Sequence, residues 1–385
     1  MLGRNRIKST FGAPVLYDRW LIVAVLGLIV LGLMMVASSS VMISTKFYHQ
    51  PFHFLLRQAI YLSAGFVLAV VVMRIDSSLW ERYSVPLLFV CLIMLVLVLV
   101  PGIGRVVNGS RRWLSLGPIG VQVSELAKIT MIIYVSGYLV RQEEQVKQNI
   151  MGFLKPMVIM MVMAFLLLLE PDFGATVVIV LTVMAMLFLV GVKLRYYIGL
   201  LILVGLSMAF LAISSPYRMA RLTAFLNPWA DQFNSGYQLT QSLIAFGRGG
   251  WLGVGLGESV QKMFYLPESY TDFIFAVLAE EFGLLGILLV LLLYSVVVWR
   301  GLMIGYVAYC SGRRQFAAFA AYGITFWLGL QAVINMGVNL GLLPTKGLTL
   351  PFLSYGGASL IVNCIVVALL LRIDHENRWQ ELGLD

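Results

Sequence analysis

Residues 20–41 read WLIVAVLGLIVLGLMMVASSSV, an apolar run with no charged side chain in it. At a rise of about 1.5 Å per residue, such a run as a helix covers the roughly 30 Å hydrocarbon core of a bilayer. It follows a basic arm containing Arg4, Arg6 and Lys8, and it is too long for the apolar part of a cleaved leader, so it reads as a retained first membrane helix. Working outward, comparable runs recur at 57–74, 84–101, 122–140, 154–169, 173–191, 196–213, 271–299, 316–340 and 351–371. The expected fold class is therefore an all-α integral membrane protein with about ten transmembrane helices.

Composition excludes the soluble alternatives. Of 385 residues, 60% are hydrophobic and 12% charged, with mean hydropathy +0.92. Soluble domains carry about twice that charge fraction, and a body this apolar needs lipid as its solvent. The net charge of +9 suits anionic headgroups or an anionic ligand. Cys91, Cys310 and Cys364 are far apart and His49, His53 and His375 do not cluster, so neither a disulfide framework, a metal site nor a triad is indicated.

The chain reads as one polytopic domain, 1–385. Placing the N-terminus in the cytoplasm puts sixteen Lys and Arg on inside segments and ten on outside segments, with Lys128 inside a span. Both termini are then cytoplasmic, as an arm 1–19 and a tail 372–385. The long connection 214–270, between helices 7 and 8, faces outward. Seven of the ten outward positive charges fall in 102–121 and 214–270. They either snorkel to headgroups or hold an anionic ligand.

Four groups of polar residues invite a chemical reading. Pro267-Glu268-Ser269-Tyr270-Thr271-Asp272 closes the outer loop; Thr271 or Asp272 can cap the helix that follows, and Asp272 can act as a general base at the membrane's outer edge, two roles that can coexist. Glu280 and Glu281 lie about 12 Å deeper and read as structural carboxylates paired with basic residues inside the bundle. Glu125 and Lys128, three apart, share a helix face, as a self-neutralising pair or beside a bound anion. Asp172, in Glu170-Pro171-Asp172-Phe173-Gly174, is a helix cap or a cavity-lining carboxylate. The six glycines between Gly247 and Gly257 match neither a phosphate loop nor a dinucleotide fingerprint, and read as closely packed backbone.

In order along the chain, Gly109-Ser110-Arg111-Arg112-Trp113, Ser124-Glu125-Leu126-Ala127-Lys128, Pro171-Asp172-Phe173-Gly174, Gly236-Tyr237-Gln238-Leu239, Leu266 to Phe275, and Leu343-Pro344-Thr345-Lys346-Gly347 leading to Ser354-Tyr355-Gly356-Gly357 resemble the SEDS family of cell-wall polymerases (shape, elongation, division and sporulation). Gln261-Lys262 and Lys346 look like its division type. The resemblance implies a ten-helix fold in the bacterial inner membrane at the division septum. It implies polymerisation of lipid II into β-1,4 glycan on the periplasmic side, with undecaprenyl diphosphate leaving. Asp272 matches the family's essential acid and would be the base. Arg112, Trp113, Glu125, Lys128, Asp172, Gln238, Arg248 and Lys346 match positions around the substrate cavity. A divalent cation, Mg²⁺ or Mn²⁺, is implied without a site. Implied partners are a class B penicillin-binding protein (the septal transpeptidase FtsI) and the division regulators FtsQ, FtsL and FtsB, with no nucleic acid. Two positions depart from the pattern: Val123 replaces a usual Pro, which predicts a less sharp start to the fourth span, and Tyr270 replaces a usual His before Thr-Asp.

The competing readings are a lipid II flippase and a non-catalytic division scaffold. A flippase is expected to carry charge near the midplane or along both leaflets and to show an inverted repeat. Here the charged groups collect outward and no such repeat is evident.

Overall fold

The computed structural model describes residues 17–107, 110–116, 119–213, 219, 225–345 and 347–382. In chain order these form α1 (Arg19–Tyr48), α2 (His53–Val72), the short α3 (Ser77–Arg82), α4 (Ser84–Leu99), strands β1 (Gly104–Val107), β2 (Ser110–Leu116) and β3 (Ile119–Gln122), then α5 (Val123–Gln148), α6 (Ile150–Leu169), α7 (Phe173–Val190) and α8 (Leu194–Ile213). A 3-10 turn at Pro228–Asp231, α9 (Tyr237–Gly249), α10 (Ile274–Cys310), α11 (Gln315–Asn339) and α12 (Gly357–Leu382) complete the order. Among the described residues eight helices, namely α1, α2, α5, α6, α7, α10, α11 and α12, are long and apolar enough to cross a membrane. The shorter apolar α4 and the apolar stretch of α8 occupy the expected third and seventh spans.

The helices sort by how they meet lipid. α5 and α11 are buried on most of their surface and form the centre, whereas α2 keeps most of its apolar surface turned outward. Small residues bring the central helices close. Gly301 and Gly305, one turn apart on α10, lie against Thr325 and Tyr322 of α11, and a Cβ at Gly305 would stand 2.7 Å from the Tyr322 ring. At the expected cytoplasmic end, Asp18 caps α1 through Leu21 N at 2.9 Å and pairs with Arg300 and Arg378, fastening the first helix to α10 and α12.

Besides the start of α5, three features differ from the sequence expectation. The 102–121 connection is a three-stranded antiparallel sheet in the order β1-β2-β3, an addition to an otherwise helical fold. Its last strand ends at Gln122 and α5 begins at Val123, so the helix starts sharply without the usual Pro, because pairing to β2 already holds Gln122 extended. The segment 372–382, expected as a tail, continues α12, with Ile373, Asp374 and Asn377 buried.

The third difference matters most for the site. The span expected as a continuous helix over 271–299 is broken at Gly283, whose φ of 61° and ψ of −155° are not helical. Into that break fits the glycine-rich segment after α9. Val254 N donates to Glu280 O at 3.0 Å, Gly255 N to Glu281 O at 3.1 Å, and Leu284 N to Gly250 O at 3.0 Å. Backbone groups freed by the break are thus satisfied by other backbone, the condition for irregular chain at membrane depth. A Cβ at Gly249 would fall on Ala279 O and one at Gly253 on Glu281 O, so the close packing read from these glycines is what they permit.

Candidate active site

The first turn-and-a-half after the outer loop presents Asp272. Glu268 adopts a left-handed φ of 56°, and its carbonyl accepts from Thr271 N at 3.2 Å and Phe273 N at 3.1 Å. The Thr271 hydroxyl donates to Glu268 Oε2 at 2.6 Å. This turn places Phe273, not Asp272, at the N-cap of α10, and the Phe273 side chain offers no capping hydrogen bond. The helix starts one residue later than a cap at Asp272 would place it. Asp272 itself is half-buried.

Its surroundings come from α11 and the segment after it. Gln331, Asn335 and Asn339, spaced four apart, lie on one face of α11 and are all buried. Asn335 Nδ2 donates to Asp272 O at 2.9 Å and to Leu348 O at 2.6 Å. Asn339 Nδ2 donates to Asp272 O at 3.0 Å, and its Oδ1 accepts from Ala276 N at 3.2 Å. Gln331 Nε2 donates to Thr349 O at 2.9 Å. The segment 347–349 is thereby laid along Asp272, and a Cβ at Gly347 would stand 3.4 Å from Asp272 Oδ2. On its other side a Cβ at Gly174 would stand 2.8 Å from Leu348 Cγ, which brings the start of α7, with Asp172, to the same place.

Glu125 and Lys128 join this arrangement from α5. Lys128 Nζ lies 2.9 Å from Glu125 Oε1 and 2.8 Å from Gln331 Oε1, and 4.8 Å from the centre of the Trp327 ring. The residue is 2% exposed, so the ammonium is committed inward. Glu125 Oε2 is buried with no hydrogen-bond partner. Arg112, on β2, reaches the α6–α7 turn: Nη2 donates to Pro171 O at 2.7 Å, Nε to Glu170 O at 3.3 Å, and Nη1 lies 3.9 Å from Asp172 Oδ1. Asp172 also caps α7, accepting from Ala175 N at 3.1 Å. Trp113, the neighbour on β2, is half-buried and pairs with Gln122 across the sheet.

The remaining expected residues scatter. Gln238 is half-buried on α9, and Arg248, at the end of the same helix, lies 3.5 Å from Glu280 Oε1. Glu280 also accepts from Ser259 Oγ, Val260 N and Gln261 N, while Glu281 pairs with Lys262 at 2.7 Å and accepts from Ser38 Oγ at 2.6 Å. Both carboxylates thus have the basic partners expected of structural groups, and that of Glu280 is Arg248. Lys346 lies outside the described residues, as do Arg218 and Arg221 of the outer loop.

Two further groups bear on acid–base chemistry. Tyr270, in the position of the family's usual His, packs against Phe54 with ring centres 4.7 Å apart, and burial pushes its hydroxyl up to about 12. It is no proton shuttle at neutral pH. Glu170 is fully buried in the α6–α7 turn with neither carboxylate oxygen hydrogen-bonded. Burial, and then the nearby Asp172 charge, push it up to about 8, with Arg112 pulling the other way. Sequence reading passed over Glu170, Asn335 and Asn339; polar residues repeating every four positions in an apolar helix were the available signal for the asparagines.

Residues 19–379 match the family of cell cycle proteins that comprises FtsW, RodA and SpoVE. A Legionella pneumophila protein named "probable peptidoglycan glycosyltransferase FtsW" is 71% identical over 386 residues, which covers 99% of this chain and 98% of that protein. Among solved structures, a chain of a peptidoglycan synthase complex, studied for its coordination of polymerization and crosslinking, superposes with a TM-score of 0.77 at 29% identity, covering 94% of this chain and 99% of that one. The rod shape determining protein RodA of Thermus thermophilus gives 0.69 at 28% identity over 94% of this chain and 98% of its own.

Proposed function

This chain belongs to the FtsW, RodA and SpoVE family of cell cycle proteins, and from that premise we propose that Asp272 is its general base. The protein is a multi-pass membrane peptidoglycan glycosyltransferase. Its substrate is lipid II. The 4-hydroxyl oxygen of the acceptor sugar forms a bond to the anomeric carbon of the growing chain as the bond from that carbon to undecaprenyl diphosphate breaks. The hydroxyl proton passes to the Asp272 carboxylate, and the electron pair leaves with the diphosphate. The observation that carries the assignment is that two buried amides hold the Asp272 main chain in a half-buried position beside the 347–349 segment.

The leaving diphosphate needs positive charge, which a preorganised site supplies at the developing anion. Arg112 at the mouth is one-quarter exposed and suits that task, with Lys346 in the adjoining segment. Lys128 is a candidate only if the Glu125 pair opens. Among the described residues no group of three His, Cys, Asp or Glu could hold a metal. A Mg²⁺ or Mn²⁺ ion would supply positive charge at the diphosphate, and Mg²⁺ commonly takes only one or two protein carboxylates. Glu125, through its unpartnered Oε2, and Asp172 are the residues that would hold it.

The same reading puts both termini in the cytoplasm, the site on the periplasmic side and the protein at the septum. A class B penicillin-binding protein is the proposed partner, with FtsQ, FtsL and FtsB acting on the pair. The test is polymerisation of purified lipid II in detergent, with the partner present. Asp272→Asn is expected to lower the rate by roughly 10²–10⁴-fold without loss of fold or of partner binding. Detergent removes any need for flipping, so a near-normal rate there would reject Asp272 as the base.

A further inference from the structure

We infer that Asn335 and Asn339 are positioning residues for the reaction, acting through Asp272; this rests on Asp272 being the base. The two amides converge on one atom. Both Nδ2 groups donate to the Asp272 carbonyl oxygen, at 2.9 Å and 3.0 Å, which occupies both of its lone pairs. Asn339 is anchored in turn, because its Nδ2 also donates to Asn335 O at 2.9 Å and its Oδ1 accepts from Ala276 N one turn into α10. Ser242 Oγ, from α9, donates to Asn339 O at 2.7 Å. The Asp272 peptide is therefore tied to the centre of the bundle, although the residue lies in a turn outside any helix.

The second hydrogen bond of Asn335 gives the arrangement its chemical sense. The same Nδ2 donates to Leu348 O at 2.6 Å, so a single side chain sets the spacing between the base and the 347–349 segment. That segment also meets Gly174 beside Asp172. A buried helix face thus holds two walls of the cavity in register. Both amides bond the Asp272 carbonyl, so they fix the residue's place through its main chain.

Displacing a reacting group by about 1 Å costs on the order of 10²-fold in rate. Asn335→Leu keeps the volume; Asp272 O retains Asn339 as a donor, while Leu348 O loses the donor Asn335 supplied, a cost of about 1–3 kcal/mol that the thermal melts read. The experiment measures lipid II polymerisation by the full chain with its partner in detergent, with rates normalised to the folded fraction from thermal melts. Four proteins are compared: the parent, Asn335→Leu, Asp272→Asn and the double variant. Asn335→Leu is expected to lower kcat by about 10- to 10²-fold with KM within about twofold. In the Asp272→Asn background the same change should cost nothing further, because the group it positions is gone. If Asn335→Leu melts below the assay temperature, Asn335→Ser, too short to reach both carbonyls, is read the same way. A rate within twofold of the parent, or an equal fractional loss in both backgrounds, overturns the inference. A near-normal rate for Asp272→Asn alone instead removes the base assignment, so the two failures are told apart.

Discussion

Lys128→Met is the perturbation that best separates architecture from chemistry at this site. The ammonium is 2.9 Å from Glu125 Oε1, where two opposite charges at an effective dielectric of about 20 attract by roughly 6 kcal/mol. Withdrawing both from water costs a similar amount, so the intact pair contributes little net stability. Removing only the cation is different. Glu125 is 6% exposed and its Oε2 already has no partner, so the variant leaves an uncompensated buried carboxylate at a cost of about 3–5 kcal/mol. Gln331 Oε1 is spared, because Trp327 Nε1 still donates to it at 2.8 Å. Glu125→Gln combined with Lys128→Met removes both charges and is expected to return to within about 1 kcal/mol of the parent. Unfolding in detergent reads the stabilities, and lipid II turnover by the same samples reads the chemistry. A double variant as unstable as Lys128→Met would refute the electrostatic account. If it regains stability and also full turnover, Lys128 only neutralises its neighbour and has no share in holding the diphosphate.

Two further outcomes follow from the helix break and the buried turn. Gly283→Ala, at φ 61° with Gly253 N in the path of the new Cβ, is expected to cost upwards of about 3 kcal/mol, whereas Gly257→Ala, at φ 88° with open space around it, should cost about 1 kcal/mol; equal losses in a thermal melt would contradict the backbone docking. For Glu170, a folded-state value of about 8 lies above the ordinary 4.5, so the ionised form is favoured by unfolding and the side chain destabilises the fold increasingly as pH rises between those values. Glu170→Gln should therefore raise the melting temperature little at pH 5 and most at pH 8, by up to about 3–5 kcal/mol in stability, and a gain that does not vary with pH would exclude a buried neutral carboxyl.

The spans were legible because lipid imposes one requirement, a long apolar run, that leaves a plain mark on the sequence. The breaks in that pattern were less so. Glu280 and Glu281 could be recognised as structural because charge inside an apolar run demands a partner, yet the partners, Arg248 and Lys262, come from a loop whose path no periodicity encodes. Gly283 looks like any glycine of a membrane helix until Gly250 and Gly253 are seen to need the space beside it. The β1-β2-β3 sheet went unread because strands as short as Gly104–Val107 and Ile119–Gln122 lie below the length at which alternation can be told from a loop. Around Asp272, an acid before an apolar helix suggested a cap. The left-handed turn at Glu268 shifts the helix start by one residue, and that shift is set by tertiary packing.

The carboxylates toward the outer side of the bundle differ in how they are held, and that difference assigns their work. Glu280 takes three hydrogen bonds on its own oxygens, two of them from main-chain amides, with Arg248 close by. Asp172 takes a helix amide and faces Arg112. Donors on those oxygens fix the two carboxylates, and with them the loop after α9 and the start of α7, in place. Glu170 is burdened in the opposite sense: sealed from water with no donor, it is neutral at neutral pH and has no charge to offer. Asp272 is held at its carbonyl by two buried side-chain amides, in a half-buried position against the 347–349 segment. With Asp272 proposed as the base, gripping its peptide sets where its carboxylate sits, and the asparagines of α11 act on the reaction through that grip.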